Sequence, residues 1–287
     1  MPMSPERILI DAQTLAHRLD GGRCVAVDCR FELANVDAGR QLYDEGHIPG
    51  AVFLDLDHDL AGPVHADTGR HPLPDINQIS ATLGRLGIGH ADTVVVYDGG
   101  NGSLAARAWW ILRWLGLRSI RLLDGGFAQW KALGLPIDLN EPQREPVTFN
   151  GEPNESLVLT TEELAADVSS IRDRKLVDAR DRQRFLGEHE PIDPVAGHIP
   201  GSVNAPFGEF VSEDGTWRPL AERAALLEGV LGSDREAVWS VMCGSGVTAC
   251  HLAISGIEAG FREPRLYVGS WSEWIRDPER PIGTGVG

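Results

Sequence analysis

The chain has 287 residues, enough for two hydrophobic cores, and its 42% hydrophobic and 24% charged residues exclude a disordered or collagen-like polymer. With 26 Lys and Arg against 42 Asp and Glu, the net charge is −16, which argues against nucleic acid and anionic membrane as partners, because both need a basic footprint. Any anionic substrate must therefore be held by local positive groups. The only apolar run near the start, Ile8 to Ile10, is too short for a signal-peptide core, and no stretch approaches the roughly 20 apolar residues of a membrane span. The expected location is the cytoplasm, where Cys24, Cys29, Cys243 and Cys250 would stay free thiols. They show neither a CxxC pair nor zinc-ligand spacing, so neither a disulfide framework nor a metal site is expected.

Taken in chain order, CVAVDC (24–29), AVFLDL (51–56), TVVVYD (93–98) and IRLLDG (120–125) read as strands. INQISATLGRLG (76–87) and SLAARAWWILRWLG (103–116) read as helices between them. Further on, LVDA (176–179), SVNAPF (202–207), AVWSVMC (237–243) and PRLYVG (264–269) are the strand-like runs, and VTACHLAISGIEAG (247–260) has the spacing of a helix closed by glycine. Strands alternating with helices predict an α/β fold with mainly parallel sheets, whose ligands bind at the carboxyl ends of the strands.

The order of motifs repeats. VAVDCRFEL (25–33) returns as KLVDARDRQRF (175–185), GHIPGAV (46–52) as GHIPGSV (197–203), and LDGGFAQW (123–130) as YVGSWSEW (267–274). A domain-sized period implies two homologous domains, 1–145 and 146–287. Between them, residues 133–156 are rich in proline, glutamate and asparagine, without periodicity, and read as an exposed linker.

Within this duplication the stretch VMCGSGVTAC (241–250) carries the chemistry. Cys243 falls where a strand turns into a helix; Gly244 and Gly246 allow a tight loop whose amides converge, above the positive end of the helix. Such helix starts lower a thiol pKa from about 8.5 to roughly 3.5–7.5, making a nucleophile near neutral pH. A buried packing cysteine is the competing reading. Aligning TVVVYDGGNGSLAAR (93–107) with AVWSVMCGSGVTACH (237–251) puts Asp98 opposite Cys243, so the first domain keeps the frame without a thiol and is expected to be non-catalytic.

The duplicated arrangement, both GHIPG elements, GSWSEW (269–274) and above all CGSGVTA (243–249) resemble the two-domain rhodanese-type sulfurtransferases over essentially the whole chain, and the loop looks like that of the 3-mercaptopyruvate sulfurtransferases. The resemblance implies tandem rhodanese-like domains and an enzyme, needing no cofactor, that moves a sulfane sulfur from 3-mercaptopyruvate to a thiol or cyanide acceptor through a Cys243 persulfide. Thiosulfate is the second donor it allows, and thioredoxin-like proteins are acceptors it suggests. It further implies that Ser245 stands near the departing carbon, that His71 (in GRHPLP) and Asp57 (in FLDLD) work with it across the domain interface, and that Arg184 grips the donor's anionic group. Gly244, Gly246, Val247 and Thr248 would complete the donor-facing loop. Arg180, four residues before Arg184, reads either as a second substrate-binding cation on the same helical face or as an ion-pair partner at the strand end. One departure stands out: Ile192 occupies the position where the resemblance expects a second arginine, leaving Arg184 to hold the donor alone. A phosphatase of the same fold would need an arginine closing the loop, which Cys243 to Thr248 lacks. A non-enzymatic persulfide carrier remains the other class of function.

Overall fold

The computed structural model describes residues 7–22, 24–166, 168, 171 and 175–286. It contains two compact units, one made of Met1–Gly62, Pro74–Asn154 and Glu213–Trp217, the other of Pro63–Leu73, Glu155–Ser212 and Arg218–Gly287. These are not the two contiguous halves that a single cut near residue 145 would give. Pro63–Leu73, from the first repeat, packs in the second unit, and Glu213–Trp217 packs in the first.

In the first unit, strands β1 (Leu9–Ile10), β2 (Cys24–Asp28), β3 (Val52–Phe53), β4 (Thr93–Tyr97) and β5 (Ile120–Leu123) form one sheet in the order β1-β5-β4-β2-β3, every pair parallel. Parallel strands need crossover helices, supplied here by α1 (Ala12–Leu19), α2 (Ala38–Glu45), α3 (Ile76–Arg85) and α4 (Ser103–Trp114), with α5 (Gly126–Ala132) after the last strand. Asp11 and Asp75 cap α1 and α3 by accepting from the amides of Thr14 and Gln78. The central strand β4 is buried from Val94 to Tyr97, and α4 is buried over nearly its whole circumference, from Ala105 to Leu112. A helix buried on nearly every side, Arg107 included, is enclosed by its neighbours, and this fixes the loop before it against the strand ends. Ile10, Leu15, Ile48, Tyr97, Phe127 and Trp130 belong to one core cluster of this unit.

The second unit repeats the plan. Strands β6 (Val158–Leu159), β7 (Leu176–Asp178), β8 (Val203–Asn204), β9 (Ser240–Met242) and β10 (Arg265–Tyr267) pair in parallel in the order β6-β10-β9-β7-β8. Around them lie α6 (Thr161–Ala165), opened by a capping box between Thr160 and Glu163, then α7 (Arg182–Leu186), α8 (Leu220–Leu231), α9 (Ala249–Glu258) and α10 (Ser270–Trp274). Helix α9 follows the central strand and is buried from Ala249 through Gly256, as α4 is in the first unit. Met242, Tyr267, Trp271 and Trp274 join one core cluster.

The segment expected to be an exposed linker is largely exposed, but it is also fastened to the first unit as a strap. Its backbone donates from Val147 to Gly84 O (2.9 Å), from Glu152 to Leu115 O (3.0 Å) and from Asn154 to Trp114 O (2.8 Å), while Phe149 is buried and stacks on His90. Among the described residues, no helix is long and apolar enough to cross a membrane.

Candidate active site

Strand β9 ends at Met242, and the chain turns at Cys243 into the loop that feeds α9. Cys243 is 1% exposed. Gly246 takes a φ of +76°, a left-handed conformation that favours glycine, and Thr248, half-buried, is the N-cap of α9 without a side-chain capping bond. Val247 is buried beside it. The loop backbone is fastened to the start of α10: Trp271 donates to Cys243 O (3.0 Å) and Ser272 to Gly244 O (2.9 Å). The Cys243 amide in turn donates to Ser270 Oγ (3.1 Å), which donates to Tyr267 O (2.9 Å).

The first unit shows what such a loop does with an anion. Phe127 and Ala128 fasten it in the same way, donating to Asp98 O (2.8 Å) and Gly99 O (3.1 Å). The Asp98 carboxylate folds back into the loop and accepts from four amides, those of Gly100 (2.9 Å) and Gly102 (3.0 Å) on one oxygen and of Leu104 (3.0 Å) and Ala105 (3.2 Å) on the other. Convergent amides at the start of a helix make an anion site, and here the protein's own carboxylate fills it.

Segment Pro63–Leu73 brings His71 to the second unit's loop, where His71 Nδ1 and Ser245 Oγ share a 2.7 Å hydrogen bond, both residues 5% exposed. The segment is held by α10, the Gly69 amide donating to Glu273 Oε2 (3.1 Å) and the Arg70 amide to Ser272 Oγ (3.0 Å). A Cβ on Gly69 would lie 2.6 Å from Gly269 O, so glycine is required for this approach. Asp57 lies in the first unit, half-buried in a turn where its amide donates to Asp55 Oδ1 (2.8 Å).

Arg184, on α7, donates through Nε to both oxygens of Glu190 (2.8 and 2.9 Å) and through Nη2 to Asp193 Oδ2 (2.9 Å). Burial works against ionisation of Glu190, but hydrogen bonds from Arg184 and from the amides of Asp193 and Ile192 outweigh it and hold its pKa below the usual carboxylate range. Asp193 goes the other way: burial pushes its pKa up against the pull of Arg70 and Arg184. Asp193 also accepts from Arg70 Nη1, so one buried carboxylate joins two guanidiniums.

Arg180 does not share the α7 face with Arg184; it sits ahead of the helix, 2% exposed, and is taken up by the fold. It forks onto Asp178 (3.0 Å from Nε, 2.7 Å from Nη2), donates to Gly197 O (2.7 Å) and lies 4.6 Å over the Trp271 ring. The first unit builds the same device from Arg30, Asp28, Gly46 O and Phe127. A cluster present in the unit without a thiol is a fastening between the sheet, the GHIPG turn and the aromatic of the last helix, and the Asp-x-Arg shared by VAVDCR and LVDAR is the signal for it. Ile192, standing where a second arginine was expected, is 47% exposed; Asp193 beside it is the buried residue. The second guanidinium near the loop is Arg70, which the sequence reading passed over.

A family model described as a rhodanese-like domain matches the chain twice, over residues 11–133 and 160–277. A Pseudomonas aeruginosa protein, provisionally named a 3-mercaptopyruvate sulfurtransferase, is 48% identical over 96% of this chain and 98% of its own length. A Mycobacterium tuberculosis protein with a provisional thiosulfate sulfurtransferase name is 39% identical over 98% of both chains. Among solved structures, SseA from Escherichia coli, a 3-mercaptopyruvate sulfotransferase, superposes with a TM-score of 0.81 at 30% identity, covering 93% of this chain and all of that one.

Proposed function

The chain belongs to the rhodanese family, and on that premise we propose that it transfers the sulfur of 3-mercaptopyruvate to a thiol or cyanide acceptor, with Cys243 as the nucleophile. The Cys243 thiolate attacks the donor sulfur, a sulfur–sulfur bond forms, and the carbon–sulfur bond breaks with its electron pair moving into the enolate of pyruvate. The enolate carbon takes a proton and leaves as pyruvate. The persulfide is then cleaved by an acceptor thiolate or cyanide, which removes the outer sulfur and restores the Cys243 thiolate. A thioredoxin-like dithiol suits this second step, since its second thiol releases the sulfur as sulfide.

The observation that carries the donor assignment is the 2.7 Å bond from Ser245 Oγ, two residues after Cys243 in the loop, to His71 Nδ1. Expelling an enolate needs a proton donor at the departing carbon, and a serine hydroxyl backed by an imidazole can deliver one and be reprotonated. Sulfite leaving from thiosulfate has no such need. Arg184, with Nε and Nη2 on Glu190 and Asp193, offers the donor carboxylate its Nη1, and the loop amides stabilise the thiolate and persulfide as their counterparts in the first unit stabilise the Asp98 carboxylate. The first unit, with a carboxylate in place of the thiol, has a non-catalytic part in this reading.

The test is pyruvate release from 3-mercaptopyruvate measured beside sulfite release from thiosulfate, at saturating cyanide. A kcat/KM for mercaptopyruvate at least tenfold above that for thiosulfate supports the reading; the reverse order replaces the donor by thiosulfate.

A further inference from the structure

We infer that Arg70 is a specificity-determining residue that binds the donor's anionic group together with Arg184, an inference that rests on the donor-binding site proposed above. The geometry is local to the second unit. A Cβ built on Gly244, the residue after the nucleophile, would lie 2.8 Å from Arg70 Nη2, 3.4 Å from Arg184 Nη2 and 3.7 Å from Arg184 Nη1. Two guanidiniums thus border the space beside Gly244, one residue from the sulfur that reacts. A glycine at this position leaves that space to the two guanidiniums.

Donor groups remain to spare on both guanidiniums. Arg70 spends Nη1 on Asp193, yet its Nε is buried and finds no acceptor among the described residues. A buried charged donor without a partner is costly, and the cost is relieved when an anion supplies the missing oxygen. Arg184 commits Nε and Nη2 to Glu190 and Asp193, while Nη1 takes no part in those pairs and faces Gly244. Asp193 holds the two guanidiniums at a fixed separation, and the backbone of Arg70 is itself fastened to Ser272, so the pair is set before any donor arrives. The cation missing at Ile192 is supplied from a segment more than a hundred residues away, through a carboxylate at the next position, Asp193.

The experiment compares wild type with Arg70→Gln and Arg70→Lys. Steady-state kinetics with 3-mercaptopyruvate should show KM rising roughly tenfold or more in Arg70→Gln, the scale of one charge-assisted hydrogen bond, with kcat changed less than about threefold. Arg70→Lys should fall between, since it keeps the charge and loses the fork. Thermal unfolding identifies any variant that is simply misfolded; if Arg70→Gln is, Arg70→Lys carries the comparison. A binding measurement independent of turnover is protection of Cys243 from iodoacetamide by pyruvate and, separately, by sulfate. The concentration for half-protection should rise about tenfold in the folded variant. If wild type releases sulfite from thiosulfate but no pyruvate from mercaptopyruvate, the donor reading fails, and the KM shift then belongs to thiosulfate. An unchanged KM for whichever donor turns over, or unchanged anion protection, overturns the role of Arg70 while leaving the donor reading intact. Equal loss of kcat with KM constant would also overturn it.

Discussion

The amide of Cys243 donates to Ser270 Oγ at 3.1 Å, and Ser270 holds a left-handed backbone, φ 53°, which the first repeat assigns to Gly126 at the same φ. A serine in that region carries about 1–3 kcal/mol of backbone strain, and it is placed directly behind the nucleophile. Its hydroxyl supplies the acceptor that fixes the Cys243 amide. Ser270→Gly should therefore leave the melting temperature unchanged or raised, because strain is relieved as a hydrogen bond is lost, while sulfur transfer falls about tenfold as the loop loosens. Ser270→Ala keeps the strain without the bond, so its melting temperature should fall below both. Equal stability of the two variants would remove the strain argument.

Asp98 makes the second prediction. Its carboxylate gathers four amides, so Asp98→Ala should destabilise the protein by about 3 kcal/mol in denaturant titration, the scale of one or two charged hydrogen bonds left unmade. Asp98→Cys should be destabilised too and should not become persulfidated by the donor, since Gly100 stands where the second repeat has Ser245. Sulfur found on the new thiol would show that the loop alone suffices for the chemistry.

Ile192 gives a negative prediction. Its side chain is 47% exposed, so Ile192→Arg should project a guanidinium into solvent and change KM for mercaptopyruvate less than twofold. A large gain in affinity would mean that the 190–193 turn can re-aim the side chain and that Arg70 is not the partner of Arg184.

Acid should act on the two carboxylates in opposite senses. Glu190 has a folded pKa below its ordinary value of 4.5, so it contributes stability that is complete above that value and is lost as pH falls through the folded one. Asp193, pushed up by burial, is held charged at a cost that acid removes. Glu190→Gln should therefore lower stability at pH 7 and flatten its decline as pH falls below 4.5, read from urea midpoints across an acid series. A parallel decline in both proteins would contradict the assignment.

The repeat made most of this legible. Cys243 is legible in its strand-to-helix position and the two glycines of its loop, and the strands that support it in runs of β-branched residues; the parts of Ser245, His71 and Arg184 come only from the family resemblance. The edge strands Leu9–Ile10 and Val158–Leu159 were missed because two residues carry no periodicity; their pairing with β5 and β10 defines them. The sequence of 133–156 reads as an exposed linker and does not show its anchoring, because its hydrogen bonds go to helix-end carbonyls, such as those of Gly84 and Leu115, which no local pattern announces. The fastening role of Arg180 is legible in the repeated Asp-x-Arg, whereas Arg70 carries no local signal because its partner Asp193 is 123 positions away.

The central claim is that Cys243 carries the sulfur. Intact-protein mass spectrometry after exposure to 3-mercaptopyruvate without an acceptor tests it most directly, with peptide mapping to place the added mass. Burial pushes the thiol pKa of Cys29 well up and that of Cys24 up, so neither should compete. Wild type should gain one sulfur atom at Cys243 and release pyruvate in equal amount, and Cys243→Ser, folded and equally stable, should gain none and release none. A persulfide on another cysteine, or pyruvate release that survives in Cys243→Ser, would contradict the account.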